Sequence, residues 1–113
     1  FKALKMNQIV GIVGDQRGPR EGLKINFFGR QTSVFTGTAS IALKVNCPVI
    51  VALCVRNSEH KYDIIFKEME IPNNQLSAEE KILSFNQNYM SFLEKTIKLY
   101  PDQWLWMHNI WKY

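Results

Sequence analysis

The segment Asp15-Gln16-Arg17-Gly18-Pro19-Arg20 gathers one carboxylate and two guanidinium groups around a glycine. A guanidinium offers a planar fork of donors that fits phosphate or carboxylate, and glycine lets backbone approach a bound group closely. Gly14 and the apolar run before it, Gln8-Ile9-Val10-Gly11-Ile12-Val13, read as a short strand buried on both faces. Ligands of α/β sheets bind beyond the carboxyl ends of strands, the position this loop would then take. A solvated turn in which Asp15 pairs with a nearby arginine would use the same residue types, so both readings stand at this point.

A second cluster, Gly29-Arg30-Gln31-Thr32-Ser33-Val34-Phe35-Thr36-Gly37, collects hydroxyls beside Arg30. Thr32 has the chemistry of an N-cap for a helix running to about Val45, with Val34, Phe35, Thr38, Ile41, Ala42 and Val45 at helical spacing. The free N–H groups and dipole of such a helix start attract anions, with Thr36 and Gly37 close by; ordinary capping would need the same residues. The spacing and lysine of a phosphate-binding GxxxxGK[ST] loop are missing.

Histidine is scarce. General-base or nucleophilic catalysis wants a base near neutral pH, usually a histidine held by a carboxylate. Here there are only His60, between two predicted strands and expected to be exposed, and His108, set among Trp104, Trp106 and Trp111 and expected to be structural. No Ser/His/Asp or Cys/His set assembles from these, so no catalytic residue is assigned within the chain. Cys47 and Cys54 point to opposite faces if they share a strand, so they cannot bridge within it. They read as buried, reduced thiols, and no further ligands lie close enough to suggest a metal.

The elements needed to position these groups follow from periodicity. Phe1 to Met6 reads as the middle of an amphipathic helix, and Leu23 to Phe28 as a short strand after the turn residues Gly18-Pro19 and Gly22. Pro48 to Val55 is a second apolar run of doubly buried type. Tyr62 to Phe66 and Met69 to Ile71 alternate like an edge strand that ends at Pro72-Asn73-Asn74. Ser77-Ala78-Glu79-Glu80 has capping-box spacing, and Ile82, Phe85, Tyr89, Leu93, Ile97 and Tyr100 form one apolar stripe before Pro101. That helix would be roughly 35 Å long. The pattern predicts an α/β domain with a mixed, mainly parallel sheet and flanking helices.

Composition is that of a packed domain: 113 residues, 46% hydrophobic and 21% charged. No apolar run reaches the about 20 residues needed to span a bilayer. Charge is divided unevenly. Residues 1–56 carry eight cationic side chains, four of them arginine, against two acids, whereas residues 57–113 carry six lysines against eight acids. The first half is therefore the better anion-binding face.

Several ordered pieces resemble one family. They are Gly14-Asp15-Gln16, Asn26-Phe27-Phe28-Gly29-Arg30, Thr36-Gly37 before an alanine-containing helix, Pro48-Val49-Ile50-Val51, and Pro101-Asp102-Gln103-Trp104-Leu105-Trp106-Met107-His108 with Trp111-Lys112. In this order they resemble the lipid A late acyltransferases, the lauroyl and myristoyl transferases of the lysophospholipid acyltransferase superfamily. The resemblance implies a glycerolipid-acyltransferase-like fold, here incomplete. It implies transfer of a fatty acyl chain from acyl carrier protein or acyl-CoA to a hydroxyl of a lipid A precursor, without a cofactor. It also implies action at the cytoplasmic face of the bacterial inner membrane. The family's base is a His-x4-Asp/Glu motif, expected upstream together with an apolar anchor. Residues 1–113 would then be the C-terminal part of one acyltransferase domain, inactive alone and prone to associate through uncovered core. By position, Asp15 and Gln16 match the family's strand-end acidic motif, and Arg17, Arg20 and Arg30 would neutralise phosphates of an anionic lipid acceptor. Asn109 and Ile110 stand where family members commonly carry arginines.

The tryptophans Trp104, Trp106 and Trp111 have two readings: packing of the long helix on the sheet, or a place at the membrane surface, where indoles are favoured. A non-catalytic anionic-lipid or nucleic-acid binding module is the alternative function. Basic and aromatic residues are segregated rather than interleaved, which argues against nucleic acid.

Overall fold

A computed structural model describes residues 1–72 and 75–113 of the chain. After a single helical turn α1 (Lys2–Lys5), the chain runs without regular structure to Gly22. Strands β1 (Leu23–Phe27) and β2 (Arg30–Val34) then form an antiparallel hairpin. Its connection is the two residues Phe28 and Gly29, both at positive φ (52° and 74°). That geometry matches the right-handed twist of the strands, and glycine adopts it without strain.

Helix α2 (Gly37–Val45) ends at Asn46, whose left-handed backbone (φ 53°) turns the chain. Strands β3 (Val49–Arg56) and β4 (Tyr62–Met69) make a second antiparallel hairpin. Its turn is built on Asn57, whose side-chain oxygen accepts from the N–H groups of Glu59 and Lys61. Helix α3 (Ala78–Leu99) follows, then a 3₁₀ turn at Pro101–Gln103. The expected capping box is present: Glu80 N–H donates to Ser77 Oγ, and Ser77 N–H donates to the Glu80 carboxylate.

Helix α3 is the spine between the hairpins. Met90, Leu93 and Ile97 pack with Ile25, Phe27 and Val34 of the first hairpin and with Ile110. Phe85, one to two turns earlier, packs with Ala39 of α2 and Met69 of β4. Tyr89 borders both clusters.

This architecture corrects several expectations. The predicted mainly parallel sheet is absent: the described strands form two separate antiparallel pairs. Parallel pairing requires a long crossover, whereas β1–β2 and β3–β4 are joined by short turns that favour antiparallel pairing. Gln8 to Gly14 is not a strand. Its residues are exposed, Ile9 at 99%, because a doubly buried strand needs neighbours on both edges and no described strand flanks it.

The helix expected to be capped by Thr32 has its N-cap four residues later, at Thr36. Thr32 is buried in β2, and its hydroxyl donates to the Ile110 carbonyl. Nor is β3 doubly buried: Val49, Val51, Leu53 and Val55 face α3, while Ile50, Ala52 and Cys54 face outward with Tyr62, Ile64 and Phe66 of β4. Both cysteines are free, with Cys54 exposed and Cys47 half-buried, so neither is the buried thiol expected. The strand end expected at Asn73 and Asn74 lies outside the described residues.

Candidate functional site

The loop of residues 15–20 is fastened to β2 rather than extending from a strand end. Gly18 N–H donates to Ser33 O at 2.7 Å, and the Ser33 hydroxyl donates to Pro19 O. The approach is so close that a Cβ on Gly18 would lie 2.4 to 2.7 Å from the backbone of Val34. Glycine is required there by proximity.

With the loop held, Arg17 reaches the C-terminal stretch. Its backbone N–H donates to His108 Nε2 at 3.3 Å, its Nη1 donates to Asn109 O at 3.3 Å, and its guanidinium lies 5.5 Å from the Tyr113 ring centre. Lys24, on the exposed side of β1, donates from Nζ to Arg20 O at 3.0 Å and to the backbone oxygen of Tyr113 at 2.8 Å. Arg30, at the start of β2, lies 5.2 Å from the Trp111 ring. That ring stacks on Phe27 at 5.8 Å, and its indole N–H donates to Phe27 O.

Three cations of the first half thus converge on residues 108–113. They are held by main-chain oxygens and ring faces, which for Arg17 and Arg30 orient the guanidinium without neutralising it. The ion pairs among the described residues are Arg20–Glu21, Lys61–Glu59 and Lys98–Glu94, so no Asp or Glu side chain pairs with Arg17, Lys24 or Arg30.

Asp15 faces a different feature, a cleft of about 220 Å³ walled by Leu53, Val55, Leu93, Ile97 and Trp104, with Tyr100 and Gln103 supplying polar groups. The Gln103 amide bridges the end of β3, accepting from Arg56 N–H at 2.7 Å and donating to Arg56 O at 2.9 Å. Beside Gly14, the Tyr89 hydroxyl is pushed up to about 12, first by burial and second by the negative charge of Asp15. It is a neutral hydrogen-bonding group at physiological pH.

The remaining predicted residues are less gathered. Gln16 is exposed. Arg20 is solvent-facing, 4.0 Å from Glu21. Thr36 occupies the N-cap position of α2 without a side-chain cap bond, and Gly37 opens onto free space. Strand β2, roughly 13 Å of extended chain, separates Arg30 from both, so the helix start and Arg30 do not form one cluster.

His60 is exposed in the β3–β4 turn, as expected. Lys24 and Tyr113 are not among the predicted residues, and Trp111, read from sequence as packing or membrane-facing, packs on Phe27 and also carries Arg30 on its ring. Lys24 had one legible signal, its polar place in the alternation of Leu23-Lys24-Ile25-Asn26-Phe27.

A cationic platform beside an apolar cleft suits an anionic amphiphile, and sequence comparison supplies the class: an acyltransferase. The family model of bacterial lipid A biosynthesis acyltransferases matches residues 1–113, and the chain belongs to that family. No curated protein and no solved structure shows a significant match.

Proposed function

We propose that the chain forms the acceptor-binding, C-terminal part of a lipid A acyltransferase. In this reading a fatty acyl chain passes from acyl carrier protein or acyl-CoA to a hydroxyl of a lipid A precursor at the cytoplasmic face of the bacterial inner membrane. The acceptor oxygen attacks the thioester carbonyl carbon, a base takes the hydroxyl proton, and the thiol group leaves. The base comes from outside residues 1–113, and this chain alone is inactive. In support, neither histidine forms an ion pair with a carboxylate among the described residues, and His108 Nε2 already accepts from Arg17 N–H.

The observation that carries the reading is the convergence of Arg17, Lys24 and Arg30 on one platform where no Asp or Glu side chain pairs with them among the described residues. Phosphate groups of the acceptor complete these cations, Arg17 and Arg30 through planar donor forks. Asp15 lies at the neighbouring cleft, where it orients acceptor hydroxyls or donor groups by hydrogen bonding.

The test uses the complete polypeptide with an acyl donor and a lipid A precursor. Arg17→Ala and Asp15→Ala should each lower the transfer rate by about tenfold or more, the effect of losing a charge-assisted hydrogen bond of about 1.5–3 kcal/mol. Unfolding free energy should change by less than about 1 kcal/mol, as for partly exposed positions. Wild-type transfer by both variants would remove these residues from the site.

A further inference from the structure

The three tryptophans of the C-terminal stretch divide into two kinds. Trp104 and Trp111 lie against Phe27, at 6.4 and 5.8 Å between ring centres. Between them the chain turns outward through Leu105, Trp106 and Met107, which are 68%, 48% and 92% exposed. The turn is held by its own backbone: Trp106 N–H donates to Trp104 O at 2.9 Å, and His108 N–H to Leu105 O at 3.0 Å. We propose that this tip, residues 105–107, is a docking element that inserts into the interfacial layer of an anionic lipid bilayer. The proposal deepens the membrane-surface part of the reading above and rests on it.

Three observations favour a bilayer over another occupant. First, the indole N–H of Trp106 donates to Pro101 O at 2.7 Å, so the ring enters an apolar layer without leaving a polar group unsatisfied. Second, the apolar side chains are consecutive on a held turn backed by Phe28, whose ring is 5.9 Å from that of Trp106. Leucine, methionine and tryptophan at such a tip are suited to the acyl–headgroup boundary.

Third, the rings behind the tip carry cations. Arg30 lies 5.2 Å from the Trp111 ring, itself 6.4 Å from Phe28, whereas Lys98, 5.4 Å from the Phe28 ring, is paired with Glu94 and adds no net charge. Lys112 adjoins Trp111 in sequence and is exposed. Of the nearby acids, Glu94 is engaged by Lys98 and by Phe28 N–H, while Asp102 is exposed in the 3₁₀ turn. An apolar tip with cations set behind it complements a surface whose hydrocarbon lies beneath an anionic headgroup layer.

Vesicle flotation with this chain tests the proposal. Vesicles of phosphatidylethanolamine and phosphatidylglycerol should retain it, with a blue shift in tryptophan emission, and vesicles of phosphatidylcholine alone should retain less. Leu105→Ser with Met107→Ser should lower partitioning by about tenfold or more, because two apolar anchors are removed. Ile64→Ser with Phe66→Ser, on the open face of β3–β4, should leave it unchanged. Arg30→Gln with Lys112→Gln should narrow the difference between the two vesicle types. Equal loss from the two apolar pairs, retention by the tip variant, or no binding by the unmodified chain would each overturn the proposal. Since flotation requires no acyl transfer, failure here is separate from failure of the Arg17 and Asp15 assay.

Discussion

The hydroxyl of Tyr89 shows how position converts an ordinary side chain into a reporter. Burial, followed by the charge of Asp15, moves its ionisation from the usual 10.0 to about 12. The raised folded-state value means that the neutral phenol is favoured by folding. Its contribution to stability is therefore intact below pH 10 and is lost as pH rises through about 12. Tyrosinate absorbance should show one phenol titrating near 12, absent from Tyr89→Phe. Stability of that variant should fall less steeply at alkaline pH. Gly18 supplies a second residue-scale prediction. A methyl group there meets the backbone of Val34, which has no rotamer by which to yield. Gly18→Ala should destabilise the chain by about 1–3 kcal/mol in denaturant titration, in the range of overpacking, and should loosen Arg17 from His108.

Among the elements, α3 depends most on local signals and β2 least. The Ser77–Glu80 capping box was readable because its spacing and chemistry are confined to one helical turn. Ser77→Ala should lower stability by about 1 kcal/mol in urea titration, as for other lost caps, with the fold retained. The Glu80 carboxyl is held below its ordinary value by the Ser77 backbone N–H and then by the Ser77 hydroxyl. Acidification through that lowered value therefore weakens the same cap. Arg30 to Val34, by contrast, resembles a helix start only when read alone. Pairing with β1 and the bond from Thr32 to Ile110 make it a strand, using a partner separated by most of the chain. Tertiary hydrogen bonding outweighs the fraction of a kcal/mol that separates local propensities.

For the molecule as a whole, the open face of β3–β4 has the largest consequence. Ile50, Ile64 and Phe66 stand on it together with Cys54 and Tyr62. An apolar sheet face left in water favours association. Sedimentation velocity should show concentration-dependent association under reducing conditions, suppressed by Ile64→Ser with Phe66→Ser. A monomer at all concentrations would count against any role of this face in covering core. The exposed run from Ile9 to Val13 has the same physical character, being apolar and uncharged. The tip at residues 105–107 differs because the Trp106 indole N–H is bonded to Pro101 O and the cations Arg30 and Lys112 stand behind it.

Family membership, the long capped helix, the exposed His60 and the cationic bias of the first half were all legible in the residues, because each depends on types and spacing along the chain. Pairing partners were not. Whether Gln8 to Gly14 joins a sheet, whether Thr32 caps or packs, and which cations meet at residues 108–113 depend on groups tens of residues apart. One-dimensional periodicity does not encode those distances. The tertiary structure decided them through strand pairing and long-range hydrogen bonds, such as those from Thr32 to Ile110 and from Arg17 to His108.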